Sequence, residues 1–315
     1  MRPARIKEEV RKIDLKIGFS CNNSCKFCVQ GDKRKSYKDK SFEEVHRILR
    51  ENKKDSDSIV FTGGESTIYP YFLKSVSTAR SLGFKKIQIQ TNGRLFAYKD
   101  FCIEAIKAGA NEFCFAIHGH NAKVHDYLTG CPGSFRQSTK GVENLKSLGA
   151  RVACNTVVTT PNFTFLPQIA RLLVRLKIDQ FQFAFPHILG KAAENKNWLI
   201  PRISKVIKYI KSALDIGIKA GRVVMTEAVP YCFMQGYEDY IAERIIPETT
   251  VFDADLIVRD YGKYRKEKGK AKGALCRKCR YYGNCEGPWR EYPEIFGWGE
   301  FKPVKPIKSC SPVNQ

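Results

Sequence analysis

The sequence predicts an α/β fold built on a parallel sheet, and three observations carry that prediction. Strand-like runs alternate with amphipathic helical runs six times between residues 12 and 221. Turn-forming or chemically active residues stand where those strands end. After residue 221 the alternation stops, and a basic, cysteine-rich stretch follows. Regular strand–helix alternation implies right-handed crossovers between parallel strands. Two arrangements fit: an open doubly wound sheet, or a barrel of the TIM type short of its eight strands. In both, function gathers at the C-terminal ends of the strands.

Each element has its own reason. "KIDLKIGF" (12–19) reads as a strand running into a cysteine loop. "SFEEVHRILREN" (41–52) is a helix: Ser41 is the N-cap, and Phe42, Val45, Ile48 and Leu49 share one face. "SIVFTGGE" (58–65) is a strand that stops at glycines, and a helix near 70–82 ends at Gly83. "KKIQIQTNG" (85–93) is a strand closed by a turn, and the helix over 98–108 ends at Gly109. "NEFCFAIHG" (111–119) is a strand, and "GSFRQSTKGVENLKSLG" (133–149) is a helix with Gly149 past its end. "RVACNTVVTT" (151–160), "FLPQIARLLVRL" (165–176), "IDQFQFAFP" (178–186) and "PRISKVIKYIKSALDIGIKAG" (201–221) alternate strand and helix again. Beyond them, "RVVMTEAVPYC" (222–232) reads as a strand stopped at Pro230. "RDYGKYRKEKGKAKG" (259–273) reads as a mobile or partner-ordered basic loop. The expected division is therefore 1–221 and 222–315.

Composition narrows the class. The 315 residues are 43% hydrophobic, as in a globular protein. No apolar run reaches the ~18 residues of a membrane span. The N-terminus is charged and lacks the apolar segment of a secretory signal, so a cytoplasmic protein is expected. The net charge is +22, from 54 Lys and Arg against 32 Asp and Glu. Such a field attracts phosphates, acidic peptides or anionic membranes, but lysine-rich surfaces also mark proteins from hot environments. Charge alone names no partner. The twelve cysteines, in a reducing compartment, point to metal ligands or catalytic thiols more than to disulfides.

Cys21, Cys25 and Cys28 form a C-x3-C-x2-C group with no fourth Cys or His nearby. Structural zinc wants four ligands. A [4Fe–4S] cluster usually takes four thiolates, and one held by three keeps an iron open for a ligand. With Phe27 before the last cysteine, the preceding strand, and Gly63-Gly64-Glu65 after the second strand, the sequence resembles the radical S-adenosylmethionine (radical SAM) superfamily. The resemblance implies a partial (β/α)6 barrel and a [4Fe–4S] cluster on Cys21, Cys25 and Cys28. It further implies that the open iron binds the methionine end of SAM, with Gly63, Gly64 and Glu65 holding its amine. Glycines there would let the backbone approach a ligand closely. "TNGRLF", with Asn92, and Asn155 in "CNTVV" match further family positions and are assigned to the cofactor site. His125-Asp126 and Gly133-Ser134-Phe135 also match. Ala116 stands where the family often has a serine.

Cys276, Cys279 and Cys285 form a second group, C-x2-C-x5-C, that needs a fourth ligand. Cys232 is the choice and Cys310 the runner-up. The region resembles the SPASM and Twitch domains. With five cysteines after the barrel, the resemblance implies one auxiliary [4Fe–4S] cluster, hence a small Twitch-like domain. An all-thiolate zinc site is the alternative. Cys114 and Cys154 read as small core residues. Cys131, in the loop after the fourth strand, is the candidate hydrogen-atom donor or acceptor.

The implied activity is reductive cleavage of SAM to a 5′-deoxyadenosyl radical that takes hydrogen from a substrate. A reductant such as ferredoxin or flavodoxin is implied. The substrate is a ribosomal peptide or protein side chain, or a cofactor or small-molecule precursor. RNA ranks last, since no RNA-binding module is visible, and a non-catalytic electron carrier would not need the Gly-Gly-Glu turn. Lys33-Arg34-Lys35 and the 259–273 loop, both near the barrel mouth, suggest an acidic or phosphorylated substrate.

Overall fold

The computed structural model describes residues 11–305. Among these, nine strands form one sheet: β1 (Lys12–Gly18), β2 (Ser58–Gly63), β3 (Lys86–Thr91), β4 (Glu112–Ala116), β5 (Arg151–Val157), β6 (Gln180–Ala184), β7 (Val223–Glu227), β8 (Thr249–Phe252) and β9 (Ile257–Val258). Their spatial order is β7-β6-β5-β4-β3-β2-β1-β8-β9. All neighbours are parallel except β8 and β9. The strand expected at 222–232 is β7, so the sheet carries two strands, β8 and β9, beyond those expected. "TTVF" is too short to announce itself as β8, but it finds β1 as a partner.

Seven helices cross over between successive strands or follow them: α1 (Phe42–Asn52), α2 (Phe72–Ser81), α3 (Lys99–Ala108), α4 (Ala122–Thr129), α5 (Ser134–Ser147), α6 (Leu166–Arg175) and α7 (Ile203–Lys219). Ser41 caps α1 as its sequence demands, its hydroxyl accepting from the Glu44 amide at 3.1 Å. The apolar row Leu15–Phe61–Ile89–Phe113–Val152 runs strand to strand across the face that packs on the helices. Cys154 joins this core.

The opposite face is unlike the packed interior of a closed TIM barrel. Its row Ala116–Asn155–Gln182–Met225 and its flanking residues Asp14, Gln88, Cys114 and Glu227 are mostly polar, and all but Met225 are half-buried. These side chains line an accessible lumen. Cys114, expected in the core, is one of them, because strand alternation puts it opposite Phe113 and Phe115.

The sheet curls until its ends approach. Tyr261, just past β9, lies between Glu227 on β7 and Asp14 on β1; burial, with Glu227 adding to it, pushes its phenol up to about 12. Residues 259–273 therefore differ from the expected mobile loop. They form helical turns over Tyr261–Tyr264 and Arg265–Gly269, and Lys270 bridges to Trp289. The physical reason is pairing. Arg265 makes two 2.7 Å hydrogen bonds to Glu286, and Lys270 lies 3.3 Å from Glu243 and 3.9 Å above the Trp289 ring. A buried cation is tolerated only with such partners.

Candidate active site and cysteine pocket

At the end of β1 the chain turns on Gly18, and Asp39 Oδ1 accepts from the Phe19 and Ser20 amides at 2.8 and 3.3 Å. The cysteine loop that follows is tied down from several sides. Ser24 and Lys26 amides donate to the Thr129 and Leu128 carbonyls at the end of α4. The Cys28 carbonyl accepts from the Lys191 amide, and the Lys26 carbonyl from Asn195 Nδ2, both at 2.9 Å. Arg34 Nη1 reaches the Asn23 carbonyl at 2.6 Å, and Arg94 reaches the Asn22 carbonyl. Phe27 is buried and meets the His118 ring edge-on at 4.5 Å, so this aromatic anchors the loop from beneath.

The backbone is thus occupied and the thiols are left for other work. Cys21 Sγ has the Asn23 amide at 3.4 Å, and Cys28 Sγ has Arg34 Nη2 at 4.0 Å. Burial raises the Cys25 thiol well above its ordinary value, and Cys28 and Cys21 add to it. Burial also raises Cys21, against the pull of the Asn23 amide and Arg34. All three thiols belong to this one loop, and Cys25 feels the charge of both others. A metal there must displace their protons.

The Gly63-Gly64-Glu65 turn packs on this loop. A Cβ on Gly63 would stand 2.0 Å from the Gly18 carbonyl oxygen, and one on Gly64 2.1 Å from that of Ser20. The glycines therefore admit the chain's own backbone, not only a ligand as expected. Glu65 is buried. Its Oε1 accepts from the Thr67 amide (3.2 Å) and from the Thr67 and Thr91 hydroxyls (both 2.6 Å), and its Oε2 from the Asn92 amide (2.6 Å). Burial pushes the carboxyl up, and these donors pull it back. Its geometry makes it a brace between two turns. Glu65→Ala strands several buried donors, each costing about 1–3 kcal/mol. It is expected to lower thermal stability and iron retention together. Full iron retention with lost SAM affinity would instead assign the carboxylate to SAM.

Asn92 is similarly engaged: Nδ2 donates to Asn22 at 2.7 Å and Oδ1 accepts from the Arg94 amide at 3.0 Å. Asn155 differs. It sits on β5 beside Ala116 and Gln182, and its buried Oδ1 has no partner among the described residues. That orphaned acceptor is the feature that fits a ligand. His118 and His125, stacked 5.9 Å apart, each accept a backbone amide at Nδ1, which fixes the proton on Nε2. Cys131 lies between α4 and α5 with Sγ 3.9 Å from the Pro132 carbonyl, next to Gly130, which packs on Ser24 of the cysteine loop. Arg94, Arg34 and Asp39 hold the loop, yet no spacing in the sequence marks them, since their partners are backbone atoms.

The expected basic approach is largely used up. Lys33 pairs with Asp253 at 2.6 Å, and Arg34 belongs to the cysteine loop. Within the lumen Lys16 lies 3.8 and 3.7 Å from Asp14 and Asp253.

The second cysteine group gains its fourth member. Cys232, Cys276, Cys279 and Cys285 line one small pocket, beside Tyr282 and Phe301. Burial, then Cys285, Cys279 and Cys276, pushes the Cys232 thiol up to about 12. Gly287 and Val304 amides point at Cys285 and Cys279 Sγ at 3.3 and 3.4 Å. Cys310 lies outside the described residues. Among the described residues no group of three or more His, Cys, Asp or Glu is arranged to hold a metal ion as it stands. The donor chemistry still fits an iron–sulfur group in both places: soft thiols on one loop or around one pocket, with amide N–H groups already aimed at sulfur.

Relatives agree with this frame. The chain is 27% identical over 186 residues to an AdoMet-dependent heme synthase of Oleidesulfovibrio alaskensis, covering 58% of this chain and 47% of that one. It is 22% identical over 219 residues to a probable GTP 3',8-cyclase of Sulfurisphaera tokodaii, covering 68% and 69%. The chain spans about half the length of the heme synthases it matches. Among solved structures, Streptococcus suis SuiB bound to S-adenosylmethionine aligns with TM-score 0.66 at 16% identity, over 88% of this chain and 72% of that one. Native anSMEcpe with bound AdoMet and Cp18Cys peptide aligns at 0.61 and 16%, over 89% of each chain. These two likenesses show the fold. The Radical SAM superfamily model matches residues 15–173, half of the chain, from within β1 to within α6. With that match on the very strands that carry the cysteine loop and the Gly-Gly-Glu turn, the chain belongs to the radical SAM superfamily and is an enzyme.

Proposed function

We propose that Cys21, Cys25 and Cys28 hold a [4Fe–4S] cluster and that Cys232, Cys276, Cys279 and Cys285 hold an auxiliary one, in a Twitch-like unit formed by residues 222–315. The division at 221 is one of function, because β7 and β8 complete the sheet begun by the first part. A cluster held by Cys21, Cys25 and Cys28 would supply the reducing chemistry for cleavage of bound SAM. The chain's own residues do the rest. Arg34 places positive charge beside the thiolates, Glu65 and Asn92 hold the loop in register with the Gly-Gly-Glu turn, and Asn155 offers its free acceptor to the bound cofactor. The observation that carries the reading is the convergence of two separate sets of free thiols, three beside the polar lumen and four around one pocket. The described cysteines are all free, which supports a reducing, cytoplasmic setting.

For the substrate we favour a peptide or protein side chain. The lumen presents Gln182, Asn155 and Glu227, while Lys16, Arg265 and Lys270 are already paired with carboxylates. Such a wall suits hydrogen-bonding, uncharged groups better than a polyphosphate. Among the similar solved structures, SuiB is bound to a precursor peptide and anSMEcpe to a Cp18Cys peptide. A small-molecule precursor is the second reading, favoured by the names of the sequence relatives.

Iron and sulfide analysis of anaerobically purified protein tests the core claim. About eight irons per chain are expected, and about four after replacing Cys21, Cys25 and Cys28 by alanine. Dithionite-reduced parent should release 5′-deoxyadenosine from SAM. Zinc in the second site would refute the auxiliary cluster.

A further inference from the structure

Most of the lumen wall suits uncharged groups, but Glu227 at the end of β7 differs from the rest. It is half-buried, and its charge is felt by Cys114 on β4 and by Tyr261 just past β9, so the carboxylate points into the lumen. Among the described residues it forms no ion pair. Gln182 Nε2 donates to its Oε2 at 3.0 Å. Its Oε1 is left without a partner among the described residues and is open to the lumen.

The cations nearby are committed elsewhere. Arg265 holds both oxygens of Glu286, and Lys270 lies 3.3 Å from Glu243. Arg265 Nη1, which has no partner, is fully buried and cannot meet a solute. Lys16 lies between Asp14 and Asp253, and Lys12, at the far end of β1, donates to Gln88. Burial, then Glu243, raises the Glu227 carboxyl, while Lys270 and Arg265 pull it back. A carboxylate so placed gains from a cation brought to it. Two further acceptors stand beside it. Gln182 turns Nε2 toward Glu227, which leaves its Oε1 as an acceptor. Asn155, paired with Gln182 across β5 and β6, adds its buried and unpartnered Oδ1. The row offers oxygens and no free cation.

We infer that Glu227 seats a protonated primary amine of the substrate, the end of a lysine side chain. The inference rests on the proposal that the substrate is a peptide or protein side chain. The geometry selects an ammonium over a guanidinium. A guanidinium seeks both oxygens of a carboxylate, and here Oε2 is taken. An ammonium is a compact donor of three protons, which Glu227 Oε1 and Gln182 Oε1 can share. The net charge of +22 suggested an acidic substrate, but the wall around Glu227 does not follow the charge of the whole chain.

Titration calorimetry of the anaerobic, iron-loaded protein tests this, with SAM present and no reductant, so that no turnover occurs. The probes are three pentapeptides, acetyl-Gly-Gly-X-Gly-Gly-amide, with X lysine, arginine or norleucine. Lysine should bind about tenfold tighter than norleucine, which has the same carbon chain without the amine, and severalfold tighter than arginine. Glu227→Gln, which keeps the shape, should bring lysine within about twofold of norleucine. Where that variant loses iron or melts early, Glu227→Asp decides: it should weaken lysine binding and leave norleucine binding unchanged. Glu51→Gln, the same charge change on the exposed face of α1, should alter neither. Three results would each overturn the inference and leave the peptide reading standing: lysine and norleucine bound equally by the parent, a lysine preference that survives Glu227→Gln, or arginine bound as tightly as lysine. Failure of all three peptides to bind would reject the peptide reading and the inference together.

Discussion

Gly63→Ala should lower the unfolding free energy by about 3 kcal/mol and strip iron from the cysteine loop. Two costs add at this position. The residue holds φ +125°, a region that costs a side chain on the order of 1–3 kcal/mol. Its Cβ would also meet the Gly18 carbonyl oxygen at 2.0 Å, and crowding of this kind typically costs about 1–3 kcal/mol. The obstruction is backbone, so no rotamer change relieves it. Relief requires the end of β1 to move, and the cysteine loop hangs from that end. Gly149→Ala is the matched control. It has φ +74° but nothing within 4 Å of the added carbon, so about 1 kcal/mol is expected there and no loss of iron. Calorimetry and iron analysis of both variants check this. Equal behaviour of the two would show that the close approach of the β1 and β2 ends is unimportant.

Arg265→Ala should be the most damaging single change in the C-terminal part, at about 3–5 kcal/mol, the typical cost of leaving one member of a buried pair alone. The Arg265 guanidinium is 3% exposed and holds both Glu286 oxygens at 2.7 Å. It also stands 5.5 Å from the Tyr261 ring, in the segment just past β9, the edge strand opposite β7. Losing it should therefore loosen the lumen as well. Arg265→Met with Glu286→Leu should recover most of the stability, because replacing a whole buried pair by apolar groups is often nearly neutral. Denaturant titration of the single and double variants measures the coupling. A single variant as stable as the parent would show that residues 259–273 do not close the barrel in solution.

Where sequence and structure part company, the reason is long-range pairing. Arg265 and Lys270 sit in a run that reads as a solvated basic loop. Nothing local reveals that Glu286 and Glu243 wait for them, and burial follows from those partners. Glu65 and the two glycines were legible as a special turn, but the object they approach, the Gly18–Ser20 backbone, is more than forty residues away in the chain. Cys131 reads in the sequence as a loop residue, and only the fold sets its neighbour Gly130 against Ser24 of the cysteine loop.

The sequence by itself determined the strand–helix alternation, the helix caps at Ser41 and Gly109, and the family motif. Each of these is a local property of the chain. Only the tertiary structure decided that Cys232 meets Cys276, Cys279 and Cys285, that β8 lies beside β1, and that Tyr261 closes the curl between Glu227 and Asp14. Each of these joins residues far apart in the chain. Their meeting depends on how the whole sheet bends and which buried charges find partners, which no short window of sequence encodes.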